Sequence, residues 1–130
     1  MKKEIVSNKL EPSGGPFSHA ILSGEYLFST QVGLKPDGTL AGPGIYEQTV
    51  QTIQNMKYIL DELDRTLDDV VKVTIYIIHL KDNLAEMNRA YRELMPNNPF
   101  PARACIEVVD MVDEGVLVEM EFTAHIAGKE

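Results

Sequence analysis

Apolar and polar residues recur along this chain with two periods, and the shift from one to the other marks out its elements. Residues 17–24 and 26–33 are rich in aromatic and branched side chains, and Ser23-Gly24-Glu25 separates them, which predicts a β-hairpin. A short strand over residues 3–6 would precede it. Lys35-Pro36-Asp37-Gly38 has proline and glycine where a type I turn takes them. After Gly42-Pro43-Gly44 the period lengthens. Thr49, Ile53, Met56, Leu60 and Leu63 return at spacings of four, three, four and three, predicting a helix to about Asp64 with one mostly apolar stripe. Residues 70–78 are dense in β-branched side chains and predict a central strand buried on at least one face. Asp82 or Asn83 is placed to cap a second helix, whose Leu84, Met87, Tyr91 and Leu94 share a face. Pro96 and Pro99 end it. Residues 102–109 and 116–126 predict two last strands, joined by a turn at Asp113-Glu114-Gly115.

The order ββ-α-β-α-ββ fits a single α+β domain over residues 1–130, with both helices covering one face of one sheet. The other face is the informative one. Alternation puts Val116, Val118, Met120, Phe122, Ala124 and Ile126 on one side of the last strand, and Leu117, Glu119, Glu121, Thr123 and His125 on the other. Lys72, Thr74 and Tyr76 form a comparable polar set on the middle strand. In the strand before the last, Arg103, Cys105, Glu107 and Val109 are expected on the polar face, with Ala104, Ile106 and Val108 opposite. Charges mixed with Leu117, Cys105 and Val109 suit a sheet buried against another subunit, and a solvated face fits the same pattern.

Composition narrows the classes. Lys plus Arg is 12 against 20 for Asp plus Glu, a formal net charge of -8, and such a field repels phosphate backbones, so no nucleic-acid partner is expected. One cysteine cannot form an internal disulfide. The N-terminal segment has lysines but no apolar core, so no secretory signal is expected. The stretch around residues 70–80 is broken by Lys72, Thr74 and His79 and is too short to span a bilayer. A soluble, cytoplasmic protein is the expectation.

Few constellations carry chemistry. Arg103 stands at the mouth of a strand, where its planar fork suits a carboxylate or phosphate, or an ion pair with Glu107 or Glu119. Glu119 and Glu121 share a face at about 7 Å along the strand. If desolvated, each would raise the other's pKa and ready one as a general base; if solvated, they are ordinary strand glutamates. Cys105 reads as a small buried hydrophobe with no histidine near it in sequence. His19, His79 and His125 lack metal-ligand spacing, and the Gly-Pro loops lack a phosphate-binding pattern, so neither metal nor cofactor is expected.

The run from Phe100 through Pro101, Ala102, Arg103, Ala104, Cys105, Ile106 and Glu107 to Val108 resembles the signature of the RidA (YjgF/YER057c/UK114) family. Gly15-Pro16-Phe17-Ser18, Ser29-Thr30-Gln31-Val32 and Val118-Glu119-Met120-Glu121 agree with it in order, so the similarity runs from about Gly14 to Ile126. The resemblance implies a chorismate-mutase-like α+β fold, with one mixed sheet, two helices on one face, and a homotrimer with a cleft at each subunit interface. It implies hydrolytic deamination of reactive 2-imino acids such as 2-iminobutanoate and 2-iminopropanoate to 2-keto acids and ammonia. By the same resemblance Arg103 matches the arginine that clamps the substrate carboxylate, and Glu119 the glutamate that activates water. Cys105 matches a pocket wall and main-chain contact, and Ser29 a pocket serine. Phe17 stands where many deaminating members have tyrosine, and Thr30 where they usually have glycine. Two other readings stay open: a non-catalytic trimer that binds small carboxylates, and an endoribonuclease or translation inhibitor.

Overall fold

The computed structural model describes residues 1–126. Six strands form one mixed sheet in the order β1-β2-β3-β6-β4-β5, namely β1 (Lys3–Glu4), β2 (Ala20–Ser23), β3 (Tyr26–Val32), β4 (Val70–Ile77), β5 (Ala102–Glu107) and β6 (Val118–His125). Helices α1 (Ile45–Asp61) and α2 (Leu80–Leu94) follow β3 and β4. Only β4 and β5 pair in parallel, with α2 as their crossover; every other pairing is antiparallel. The α+β layer expected from the two helical stripes is the one observed.

Both helices lie on one sheet face because their apolar stripes have nowhere else to go. Ile53, Met56 and Leu60 of α1 and Met87 and Tyr91 of α2 pack against Val73, Ile75, Met120 and Phe122, all buried. Leu94 breaks the predicted stripe: it is exposed, and Met95 fills the core beside Tyr91 instead. The α2 cap differs too. His79, at φ 50°, is the N-cap and offers no side-chain bond, so the helix begins before Asp82; Asn83 instead donates to the Ile78 carbonyl at 2.7 Å.

The turn at residues 113–115 does not join a hairpin. β5 and β6 flank β4 on opposite sides, and residues 108–117 cross over the end of β4 between them. A buried glutamine anchors that crossing. The Gln48 amide donates to the Gly42 and Gly115 carbonyls at 3.0 Å each, and its oxygen accepts from the Leu117 N–H at 2.7 Å. One helical stripe further on, Asn55 donates to the Val32 and Leu34 carbonyls. Gly33 lets α1 come this close, because a Cβ there would stand 2.7 Å from the Gln48 carbonyl oxygen.

Candidate functional site

The candidate residues fall into three places. The first is the sheet face away from the helices. Register places Thr30, Glu121 and Thr74 side by side across β3, β6 and β4, and Val32, Glu119 and Tyr76 in the adjacent row. Alternation on β6 and β4 is as the pattern predicts. The Tyr76 hydroxyl donates to Glu121 Oε1 at 2.9 Å, so one glutamate of the pair is held. Glu119 is half-buried, and among the described residues it accepts no hydrogen bond. Burial pushes its pKa above the ordinary 4.5, and the charges of Glu121 and Asp113 push it further. Bonding to Glu121 likewise raises the Tyr76 phenol. This is a carboxylate primed to take a proton, beside one tied by a tyrosine.

The second place corrects the expected face of β5. Arg103 pairs in register with Val73 and Cys105 with Ile75, both core residues, so Arg103, Cys105 and Glu107 point to the helix side. Ala104 and Ile106 take the open face beside Thr74 and Tyr76. Contacts agree. The Arg103 guanidinium lies 4.9 Å from the Tyr91 ring centroid, Glu107 accepts from the Leu80 N–H at 3.3 Å, and Cys105 packs against the core. Burial raises the Cys105 thiol's pKa, with Arg103 opposing, so the thiol stays protonated and a poor nucleophile.

Arg103 is exposed, and among the described residues it has no carboxylate partner, so the ion pair with Glu107 or Glu119 does not form. It lines a groove of about 230 Å³ with Asn88, Tyr91, Arg92, Phe100 and Pro101. Asn88 Oδ1 and the Tyr91 hydroxyl are buried there without partners. Asn88 and Arg92 are polar positions outside the apolar stripe of α2, and no motif in the sequence singles them out. A larger groove of about 570 Å³ shares Phe100 and Pro101 and continues toward Val71 and Asp68.

The third place is the loop before β2. Phe17 is 59% exposed and meets the His19 ring edge-on at 5.6 Å. Ser29 is only 5% exposed and faces the helix side opposite Phe122, while its neighbour Thr30 faces out. Its hydroxyl donates to the His19 carbonyl at 2.5 Å and accepts from Gln31 at 2.9 Å. Ser29 therefore pins the loop that carries Phe17, with its hydrogen atom already used. Among the described residues no group of three His, Cys, Asp or Glu side chains is arranged to hold a metal ion. No helix there is long and apolar enough to cross a membrane.

The profile of the family described as Endoribonuclease L-PSP matches residues 7–126. The chain belongs to that family, the one that contains RidA. A RutC family protein of Pyrococcus abyssi is 39% identical over 128 residues, covering 96% of this chain and 98% of that one. The solved Rid-family protein YyfA of Yersinia pestis superposes with a TM-score of 0.90 at 32% identity, covering 97% of this chain and 100% of its own. RidA of an Antarctic Psychrobacter has a TM-score of 0.87 at 29% identity, covering 95% and 99%. The mixed sheet with its two helices is thus the RidA fold, and the family match extends well beyond residues 100–108, over residues 7–126.

Proposed function

We propose that this RidA-family protein is a cytoplasmic 2-imino acid deaminase, working as a homotrimer whose clefts each join two subunits. The observation that carries the reading is Arg103: in a chain of net charge -8 it has no carboxylate partner among the described residues, and it lines a small groove. Its fork binds the substrate carboxylate through two parallel hydrogen bonds and so fixes the adjacent C=N carbon. Glu119 supplies the base. Its oxygen takes a proton from water as the water oxygen bonds to that carbon, and the proton then goes to nitrogen. Glu119 then takes the hydroxyl proton of the adduct and passes it to the amine as the carbonyl forms and the C–N bond breaks, releasing ammonia and the 2-keto acid. Phe17 and Thr30 shape the rim, and the Cys105 main chain forms part of the wall.

Support for two subunits comes from the faces. Within one chain Arg103 and Glu119 point away from each other, so a site using both takes them from different copies. The RNA-cleaving activity in the family's description is disfavoured by the acidic balance, because phosphate contacts draw on Lys and Arg. The deciding experiment generates 2-iminobutanoate or 2-iminopropanoate enzymatically and measures keto-acid release with and without the protein. Acceleration lost in Arg103→Lys is expected. No acceleration on any imine, with carboxylates still bound, would leave a non-catalytic carboxylate-binding protein.

A further inference from the structure

The groove beside Arg103 contains a second cation. Arg92 lies in the last turn of α2 and lines the same 230 Å³ space. The chain has four arginines. The two outside the groove are ion-paired, Arg65 with Asp69 and Arg89 with Glu86 and Glu93. The two inside it have no carboxylate partner among the described residues. A favourable position near the carbonyl end of α2 accounts for a cation at Arg92 but not for its place in the groove wall.

Two guanidinium groups in one groove repel each other unless anionic charge lies between them. A monocarboxylate occupies one fork and leaves the other cation unanswered. A dicarboxylate occupies both, with its methylene spacer along Phe100 and Pro101. The groove is also below the roughly 300–1,000 Å³ that takes drug-sized ligands, which suits a small acid. We propose that Arg92 and Arg103 together make this a dicarboxylate-preferring site, so that among 2-imino acids it favours those bearing a second carboxylate. The proposal rests on the deaminase reading for its chemistry and on the arginine pair for its selectivity.

The test is calorimetric titration of the intact protein with 2-oxoglutarate and 2-oxobutanoate, stable keto acids with and without the second carboxylate. Wild type should bind 2-oxoglutarate at least about tenfold more tightly, the worth of one added charge-assisted hydrogen bond or more. Arg92→Gln should bring the ratio of the two affinities close to one, and Arg92→Lys should retain part of it. Arg103→Lys should weaken both acids. Equal binding by wild type, no binding of either acid, or a ratio that survives Arg92→Gln would overturn the proposal. Turnover separates the two layers. If monocarboxylic imines are hydrolysed and 2-iminoglutarate is not, the dicarboxylate inference falls and the deaminase stands. If the binding ratio holds while no imine is hydrolysed faster, the deaminase falls and the arginine pair stands as a binding site.

Discussion

Arg103 and Glu119 stand on opposite faces of one sheet, with β4 running between their strands. On β4 their register partners are Val73 and Tyr76. The two positions are therefore about 10 Å apart along the strands and about 10 Å across them, before the opposed side chains are counted. No small 2-imino acid spans that gap. If the two residues share a substrate, they do so across a subunit interface. Mixing Arg103→Ala with Glu119→Gln during refolding or co-expression should then restore activity that neither variant has. In randomly mixed trimers about a quarter of the interfaces combine an intact arginine with an intact glutamate. A recovery near that fraction of wild-type activity is expected, and none would place both residues outside one shared site.

Glu119 should trade stability for activity. Its carboxyl holds a proton more tightly folded than unfolded, chiefly because it is buried. Stability contributed by that proton is complete below the ordinary value of 4.5 and is lost as pH rises through the raised one. At neutral pH the charge burdens the fold. Glu119→Gln should accordingly raise the melting temperature at neutral pH, with the difference closing in acid. The same substitution should slow turnover by about 10²–10⁴-fold, the usual worth of a positioned base. Glu121→Gln, whose site is already tied by Tyr76, should lose far less. Equal losses would mean that the two carboxylates titrate as a coupled pair.

What the sequence revealed depended on whether burial was one-sided. In β6 and β4 one face is packed and the other open, so alternation assigned Glu119, Glu121, Tyr76 and Thr74 to the open face. β5 is an edge strand whose residues are all exposed or half-buried, so polarity there tracks neither face. Arg103 and Cys105 could be sorted into one set but not aimed. Gln48 and Asn55 were missed for a different reason. Both are polar, so the helical period reads them as surface positions. Their partners are main-chain groups, one of them 67 residues away, and hydropathy does not record such contacts.

The Gln48 anchor should matter as much as a core residue. Gln48→Ala leaves the Leu117 N–H and the Gly42 and Gly115 carbonyls without their side-chain partner. Each buried group stranded this way costs about 1–3 kcal/mol where water cannot replace the lost bond. A clear drop in melting temperature is expected, with faster amide exchange over residues 112–117. Because β6 begins at the end of that segment, turnover should fall with Glu119 still present. Unchanged exchange there would show that the crossing is held by other contacts.

Phe17 offers a gain-of-function test. The main chain of its loop is held by three bonds: Ser13 donates to the Phe17 carbonyl at 2.7 Å, His19 Nε2 meets the Glu11 carbonyl at 2.7 Å, and Ser29 holds the His19 carbonyl. A tyrosine here would keep the edge-on contact with His19 and add one hydroxyl at the end of the ring. A neutral hydrogen bond contributes about 0.5–1.5 kcal/mol, at most roughly tenfold in rate or affinity. Phe17→Tyr should therefore raise kcat/KM on small 2-imino acids several-fold, without changing the melting temperature or the oligomer. Wild type should show weakened rather than absent activity, since Arg103 and Glu119 remain. If Phe17→Tyr leaves kcat/KM unchanged while Arg103→Lys abolishes turnover, the ring lies outside the reacting cleft and its exposed face does not set the rate.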